Sequence, residues 1–363
     1  MDTTRSRDRA PAARASVRRA GALALLFPSL MAYRGQMVHR SASSAARDHD
    51  VTFYDRDTDV VADVARFVAE GLAHGERVVV VATAEHRAGI EEVLEQHGED
   101  PVRARMSGRY LTLDAAETLA TFMVDGAPRQ KDFERVIGRV LDTAAAGGSA
   151  VRVFGEMVAL LWEQGNVSGA IELEALWNRL GATRRFSLLC AYPASVLSGS
   201  PLHDIHSVCH LHANVISPRS YSAPAAAGLD EAGTELVSDV FVPVTAAAPA
   251  ARRFVTTTLS AWGLHHLVDD VILATSEIAT NAVRHAVSPF RLRISRDRAT
   301  LRVTVEDVAP VRPVPRTAAD DDFGGRGLAI VQTVANRWGY DSLARGKAVW
   351  AEFHVDEGDA RAQ

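Results

Sequence analysis

Glu277, Asn281 and His285 lie four residues apart in the stretch Ser276 to Ala286, S-E-I-A-T-N-A-V-R-H-A. Around them Val271, Ile272, Ile278, Ala279, Ala282, Val283 and Ala286 recur at intervals close to three and four, the period of a helix. Side chains four apart on a helix stack along one stripe. A carboxamide oxygen suits a hard cation such as Mg²⁺, which keeps much of its water and bridges phosphates. A carboxylate one turn away could take a proton from a water or hydroxyl beside that ion. The same spacing would serve an amphipathic helix with a polar rim, so the residues C-terminal to the stretch must decide between the two readings.

Residues 291–296 and 300–306 alternate apolar and polar through Leu292, Ile294, Leu301, Val303 and Val305, which predicts a β-hairpin. Asp307 ends the second strand. A Pro- and Asp-rich loop runs from Pro310 to Asp322, and Gly324-Gly325-Arg326-Gly327 then leads into an expected helix from Leu328 to Trp338. A Gly-rich turn feeding a helix N-terminus presents backbone N–H groups to a phosphate, with the helix dipole adding to the attraction. The chain closes on Gly346-Lys347-Ala348-Val349-Trp350 and an alternating strand to Val355.

In this order, E-I-A-T-N-A-V-R-H-A, V-E-D, G-G-R-G-L and G-K-A-V-W resemble the GHKL (Bergerat-fold) ATPases over residues 240–355, and within them the anti-sigma-factor serine kinases. The resemblance implies a two-layer α/β sandwich that binds ATP with Mg²⁺. It implies Asn281 as the Mg²⁺ ligand, Glu277 as the catalytic base and Asp307 as the reader of the adenine amino group. Nucleotide-binding positions would be Asn281, His285, Asp307, Gly324, Gly325, Arg326, Gly327, Leu328 and Lys347, with Gly325 and Gly327 covering the phosphates. Two positions depart from the pattern: Ala309 stands where the family often has Gly, and Ala348 replaces a Thr of the last box, removing a hydroxyl near the adenine.

A length of 363 residues suits two ordinary domains. Apolar content of 47% and charged content of 23% are those of a soluble globular chain. A net charge of −5 gives no basic face for direct nucleic-acid binding. Two cysteines, Cys190 and Cys209, make no disulfide framework and match no zinc spacing, and Cys190 reads as a small core residue. Residues 1–47 are rich in Arg, Ala and Ser; their apolar run, Ala20 to Tyr33, is interrupted by Pro28 and too short for a membrane span. Arg18-Arg19 before that run could pass for a secretory leader. The expectation is instead a disordered extension, or one upstream of the true start, with Met31 or Met37 nearer to it, on a cytoplasmic protein without a membrane segment.

Residues 48–215 read as alternating strands and helices. Strands are expected at Val51–Tyr54, Arg77–Ala82, Tyr110–Leu113, Val151–Phe154 and Phe186–Ala191, with a helical stripe through Val60, Val61, Val64, Phe67, Val68 and Leu72 and further helices near 84–97, 130–146 and 168–180. The continuous β-branched run Arg77–Ala82 suits a strand buried on both faces. The alternation predicts a doubly wound, largely parallel sheet. F-Y-D, E-G-L-A-H-G-E-R-V, V-R-V-F-G-E-M-V-A-L-L-W-E-Q-G-N, I-E-L-E-A-L-W-N and F-S-L-L-C-A-Y-P resemble the MEDS sensory domain, which implies a RecA-like fold. No G-x-x-x-x-G-K-[ST] is present, so this part is expected to bind a small-molecule ligand or a partner without hydrolysing nucleotide.

Ligand-facing candidates there are His49, Tyr54 and Glu156, followed by Trp162, Glu172, Trp177 and Asn178. Glu156 ends a strand, where doubly wound sheets place their sites. Trp162 and Trp177 read as core aromatics. His203, His206, His210 and His212 look like metal ligands, with His206 and His210 at helical spacing. No carboxylate or Cys pattern beside them completes a site, so they read as solvated helix residues. Residues 216–236, rich in Ala, Ser, Pro and Gly, predict a linker. The ATPase domain would then occupy 237–356, with a first strand at Val240–Val244 and a helix at Ala247–Trp262, and 357–363 a tail.

Three functions remain open from the sequence. One is a serine kinase acting on an anti-anti-sigma (STAS-type) partner, with a sigma factor as the second partner and a homodimer implied by the resemblance. In it a Ser hydroxyl would attack the γ-phosphoryl with Glu277 accepting the proton. The second is a sensor histidine kinase, although no H-E/D-x-x-[TN]-P helix lies between linker and Asn281, and His265-His266 falls in an expected turn. The third is a sigma-factor sequesterer that holds ATP without using it.

Overall fold

The computed structural model describes residues 49–222, 228–229, 235–297, 299–311, 313 and 327–355. The expectations for 1–47, for 223–227 and 230–234 within the expected linker, for Gly324, Gly325 and Arg326 and for the tail 357–363 lie outside the described residues.

The N-terminal part runs β1 (His49–Tyr54), α1 (Asp57–Ala73), β2 (Arg77–Ala82), α2 (Ala84–Gln96), α3 (Pro101–Met106), β3 (Tyr110–Asp114) and α4 (Ala115–Ala120). A short ribbon, β4 (Met123–Val124) with β5 (Ala127–Pro128), precedes α5 (Gln130–Ala144), β6 (Val151–Gly155), α6 (Met157–Glu163) and α7 (Val167–Thr183). It ends with β7 (Ser187–Pro193), α8 (Ser195–Gly199), α9 (Leu202–Leu211) and β8 (Asn214–Ile216). Six strands pair in the order β3-β2-β6-β7-β1-β8, and every pairing is parallel. The β-branched strand β2 shows why: Val79 and Val81 enter one core with α5, α6 and α7, while Val78, Val80 and Ala82 enter another with α1 and α2. A parallel sheet covered on both faces buries alternate residues of each strand on opposite sides. β1 and β2 are parallel, as expected from their βαβ pattern, but β6 and β7 lie between them.

The second part holds β9 (Gly228–Leu229), β10 (Glu235–Phe241), α10 (Ala247–Ala261), α11 (Val268–Asn281), β11 (Phe290–Arg296), β12 (Thr300–Asp307), α12 (Gly327–Val334), β13 (Arg337–Ser342) and β14 (Lys347–His354). Its strands pair antiparallel in the order β13-β14-β12-β11-β10-β9. Phe290, Leu292 and Ile294 of β11 and Leu301, Val303 and Val305 of β12 are fully buried, alternating with Arg and Thr that face outward. The buried face packs under α10 and α11, whose inward residues include Phe254, Val255, Leu259, Val271, Ala274 and Ile278. This is a two-layer sandwich. Strand β10 starts at Glu235, five positions before the sequence places the strand expected at Val240–Val244.

The helix expected to reach Trp338 stops at Val334. Asn336 ends it: its N–H bonds Glu352 O (2.9 Å), and its Oδ1 accepts from His354 N (2.8 Å), so β14 captures the chain and Trp338 enters β13. Tyr221 joins the two parts. Its hydroxyl donates to Val240 O (3.2 Å) and accepts from Val242 N (2.5 Å), and its ring lies 5.2 Å from Phe241.

Candidate functional site

Glu277 and Asn281 ride on α11 because Val271, Ala274, Thr275, Ile278 and Ala279 turn its apolar face to the sheet, leaving both polar side chains half-buried on the other flank. They meet the first residue of α12. A Cβ on Gly327 would lie 2.7 Å from Glu277 Oε2 and 3.7 Å from Asn281 Nδ2. A larger residue there would have to push the Glu277 carboxylate aside. The N-terminus of α12, whose first N–H groups have no partner within the helix, thus stands beside a carboxylate and a carboxamide.

After Asn281 the helix widens into a π turn, Ala282–Ala286, and Val287 takes a left-handed conformation (φ 45°). π turns inside helices recur at functional sites. The change of pitch breaks the four-residue stripe that the sequence extends to His285, and His285 is exposed. Leu328 is buried behind Gly327.

Asp307 ends β12, buried to 3% exposure, and β14 brings Lys347 opposite it. Asp307 Oδ1 accepts from Lys347 Nζ (2.8 Å) and from Ala309 N (2.9 Å). The second bond is an Asx turn, which Ala accommodates as well as Gly. Ala309 O also accepts from Lys347 Nζ (3.2 Å). Both contacts of Asp307 fall on Oδ1; among the described residues none falls on Oδ2. Two further features hold this end. Ser288 Oγ accepts from Val308 N (3.3 Å), tying the π turn to the end of β12. Gly346 adopts φ +100°, and a Cβ there would lie 1.9 Å from Asp307 O. Oxygen ligands, a glycine contact and a buried carboxylate with one oxygen unengaged among the described residues fit a nucleotide and its cation.

In the N-terminal part the three sensory candidates divide. Tyr54 and Glu156 lie at the carboxyl ends of β1 and β6, joined by His86. Glu156 accepts from Thr83 N and pairs with His86 Nδ1 (2.6 Å), whose ring is edge-on to Tyr54 at 6.2 Å. The hydrogen bond to Glu156 raises the His86 pKa against the opposing effect of burial. Burial, then the Glu156 charge, raises the Tyr54 hydroxyl. His49 starts β1 at the opposite end, five residues away, about 16 Å along an extended strand.

His49 instead belongs to a cluster spacing did not reveal. Its Nε2 is 3.2 Å from Glu174 Oε2 and 3.3 Å from Cys190 Sγ. His212 Nε2 is 3.5 Å from the same Glu174 oxygen, and the two imidazole rings are 4.0 Å apart. Glu174 Oε1 accepts from Tyr192 OH (2.8 Å). Burial opposes the ionised Glu174 carboxyl, yet His212 and His49 hold it below the usual carboxylate range. Of the two carboxylates of I-E-L-E-A-L-W-N, Glu174 is buried in this cluster and Glu172 is exposed. The available signal was phase: Glu174 recurs with Ala170, Leu173, Trp177 and Leu180 on the buried stripe of α7. Cys190 is buried in the core, as expected, and its thiol also touches His49 and Glu174, while His212 stands apart from His206 and His210, which stack on each other (5.8 Å). Trp162 and Trp177 are core aromatics, as expected. A cavity of about 230 Å³ opens beside the cluster, lined by His49, Asn178, Trp177, Gly181, Ala182, Phe186 and Leu188.

Residues 48–212 match the MEDS domain, the methanogen/methylotroph, DcmR sensory domain. Residues 242–353 match the histidine kinase-like ATPase domain. The chain thus carries a region matching the MEDS sensory domain followed by one matching the histidine kinase-like ATPase domain. No curated protein matches it. Among solved structures, a KaiC-like protein, PH0186, from the hyperthermophilic archaeon Pyrococcus horikoshii OT3 is 18% identical, with a TM-score of 0.30, covering 40% of this chain and 62% of that one. This chain thus spans less than two thirds of that protein. Among the described residues no helix is long and apolar enough to cross a membrane.

Proposed function

We propose that the chain is a cytoplasmic ATP-dependent serine kinase that modifies an anti-anti-sigma partner and holds a sigma factor in alternation with it, with the MEDS domain setting when. The observation that carries this reading is the convergence of Glu277 and Asn281 on Gly327 at the start of α12. ATP supplies the phosphoryl group and Mg²⁺ neutralises its charge when bound. Asn281 would hold the cation through its carboxamide oxygen. Glu277, one turn away, would accept the proton of the partner's serine hydroxyl. Asp307 would take the adenine amino group on its open Oδ2, with Lys347 fixing the carboxylate through Oδ1.

The test is incubation of the full chain with γ-labelled ATP, Mg²⁺ and a cognate anti-anti-sigma protein. Label on the partner's serine supports the kinase. Label on a histidine of the chain itself assigns it to the sensor histidine kinases. Binding of ATP and sigma factor with no label on either protein makes it a sequesterer.

A further inference from the structure

We propose that His49, Glu174, Cys190 and His212 bind a divalent transition-metal ion of the zinc class. The four donor atoms lie within 4.8 Å of one another and come from β1, α7, β7 and the residue after α9. Their protonation is set by the groups around them. His49 Nδ1 lies 3.0 Å from Asn178 Oδ1, and the Asn178 amide is oriented by its Nδ2 donating to Leu211 O (2.8 Å). His212 Nδ1 lies 2.6 Å from Val208 O. Both Nδ1 atoms therefore face oxygens that only accept, and each must carry the ring proton. In the neutral rings both Nε2 atoms are then lone pairs turned inward, and in the absence of a metal ion a proton on Nε2 can instead face Glu174.

With both rings neutral the centre holds two imidazole lone pairs, a carboxylate oxygen and a thiol, with the S–H as the one remaining donor. Among the described residues His212 Nε2 has no hydrogen-bond partner, and its side chain is fully buried. Glu174 is fully buried too. Buried acceptors facing each other at such distances are costly unless a positive charge sits among them, a proton on an imidazole or a metal ion in its place. Metal-bound histidines show this arrangement, with the outer nitrogen donating to a carbonyl so that the inner one is presented to the ion.

The spacing agrees. Four-coordinate zinc has bonds of about 2.0–2.3 Å, so the edges of its tetrahedron are about 3.3–3.8 Å. Four of the donor–donor separations here are 3.2, 3.3, 3.3 and 3.5 Å. Two nitrogens, a sulfur and one oxygen select a borderline-soft ion and not Mg²⁺ or Ca²⁺. Thiolate and carboxylate together balance a dication, and binding would release the Cys190 thiol proton. The cavity that ends on His49 gives an ion a way in.

The test uses the full chain, purified without a histidine tag, stripped with chelator and reloaded with Zn²⁺ or Co²⁺ salts. Elemental analysis after gel filtration is expected to find one ion per chain. Co²⁺ is expected to give a thiolate-to-metal charge-transfer band in the near ultraviolet and the strong visible bands of a four-coordinate site. Cys190→Ser should lose the charge-transfer band and His212→Ala should lose the ion, while His210→Ala, outside the cluster, keeps both. Folded wild-type protein, checked by circular dichroism, that retains no ion and shows no cobalt spectrum would overturn the proposal without recourse to any variant. Retention in Cys190→Ser with an unchanged cobalt spectrum would overturn it as well.

Discussion

Glu277 and Asn281 sit half-buried on one helix and face a glycine. Glu174 sits fully buried and faces two histidines and a cysteine carried by three other segments. The first arrangement leaves polar groups open beside a helix N-terminus, where something charged can enter and leave. The second encloses its polar groups, and such a cluster persists only if its members satisfy one another or a common ion. One region is built for exchange and the other for retention. A MEDS domain fused to a kinase-like ATPase domain would have use for both.

The largest effect is expected at the open site. Glu277→Gln removes a base and should slow phosphoryl transfer to the partner's serine by about 10²–10⁴-fold. ATP affinity, measured by calorimetry, should stay within a few fold, because the group touches only the proton in flight. A wild-type transfer rate in this variant would mean that Glu277 merely solvates α11.

At the enclosed site, Glu174→Ala strands two histidines and the Tyr192 hydroxyl in a buried space. Breaking a buried pair typically costs about 3–5 kcal/mol. Chemical denaturation of the full chain should register a loss of that order even after chelation. A loss no larger than that of a surface substitution would erase the contrast between the two regions.

Gly346→Ala probes how firmly Asp307 is held. The residue has φ +100°, and the added Cβ would meet Asp307 O, so the strained backbone should cost about 1–3 kcal/mol and weaken ATP binding with it. Unchanged nucleotide affinity would mean that Asp307 does not position the adenine.

The smallest effect is a pH dependence at the carboxyl end of the parallel sheet. The His86 pKa is raised, first by its hydrogen bond to Glu156. Its contribution to stability is then fully present below the ordinary histidine value near 6.5 and is lost as pH rises through the raised folded value. Denaturation midpoints of the wild type should fall over that window, and Glu156→Gln should flatten the fall. An equal slope in the variant would mean that the pair does not set the pH dependence.

Periodicity made most of the elements legible. The run Arg77–Ala82 is β2 residue for residue, and the alternation through Leu292 and Val303 is the β11–β12 hairpin, because period two and period three to four are local properties of the chain. The pair Glu277 and Asn281 was readable for the same reason: four residues on a helix is a contact distance that no other part of the fold needs to supply. Phase within α7 would have separated Glu174 from Glu172. The remaining contacts depend on packing. His49 and Cys190 are 141 residues apart and touch only because β1 pairs with β7, an order the βαβ pattern does not specify. His212 joins them because α9 ends against α7, and Tyr54 parts from His49 because a strand carries its two ends to opposite edges of the sheet. Lys347 meets Asp307 only through the register of β12 with β14. Spacing along the chain governs neighbours on one element; strand order, register and the face each helix presents govern neighbours between elements, and these are settled only when the whole core packs at once.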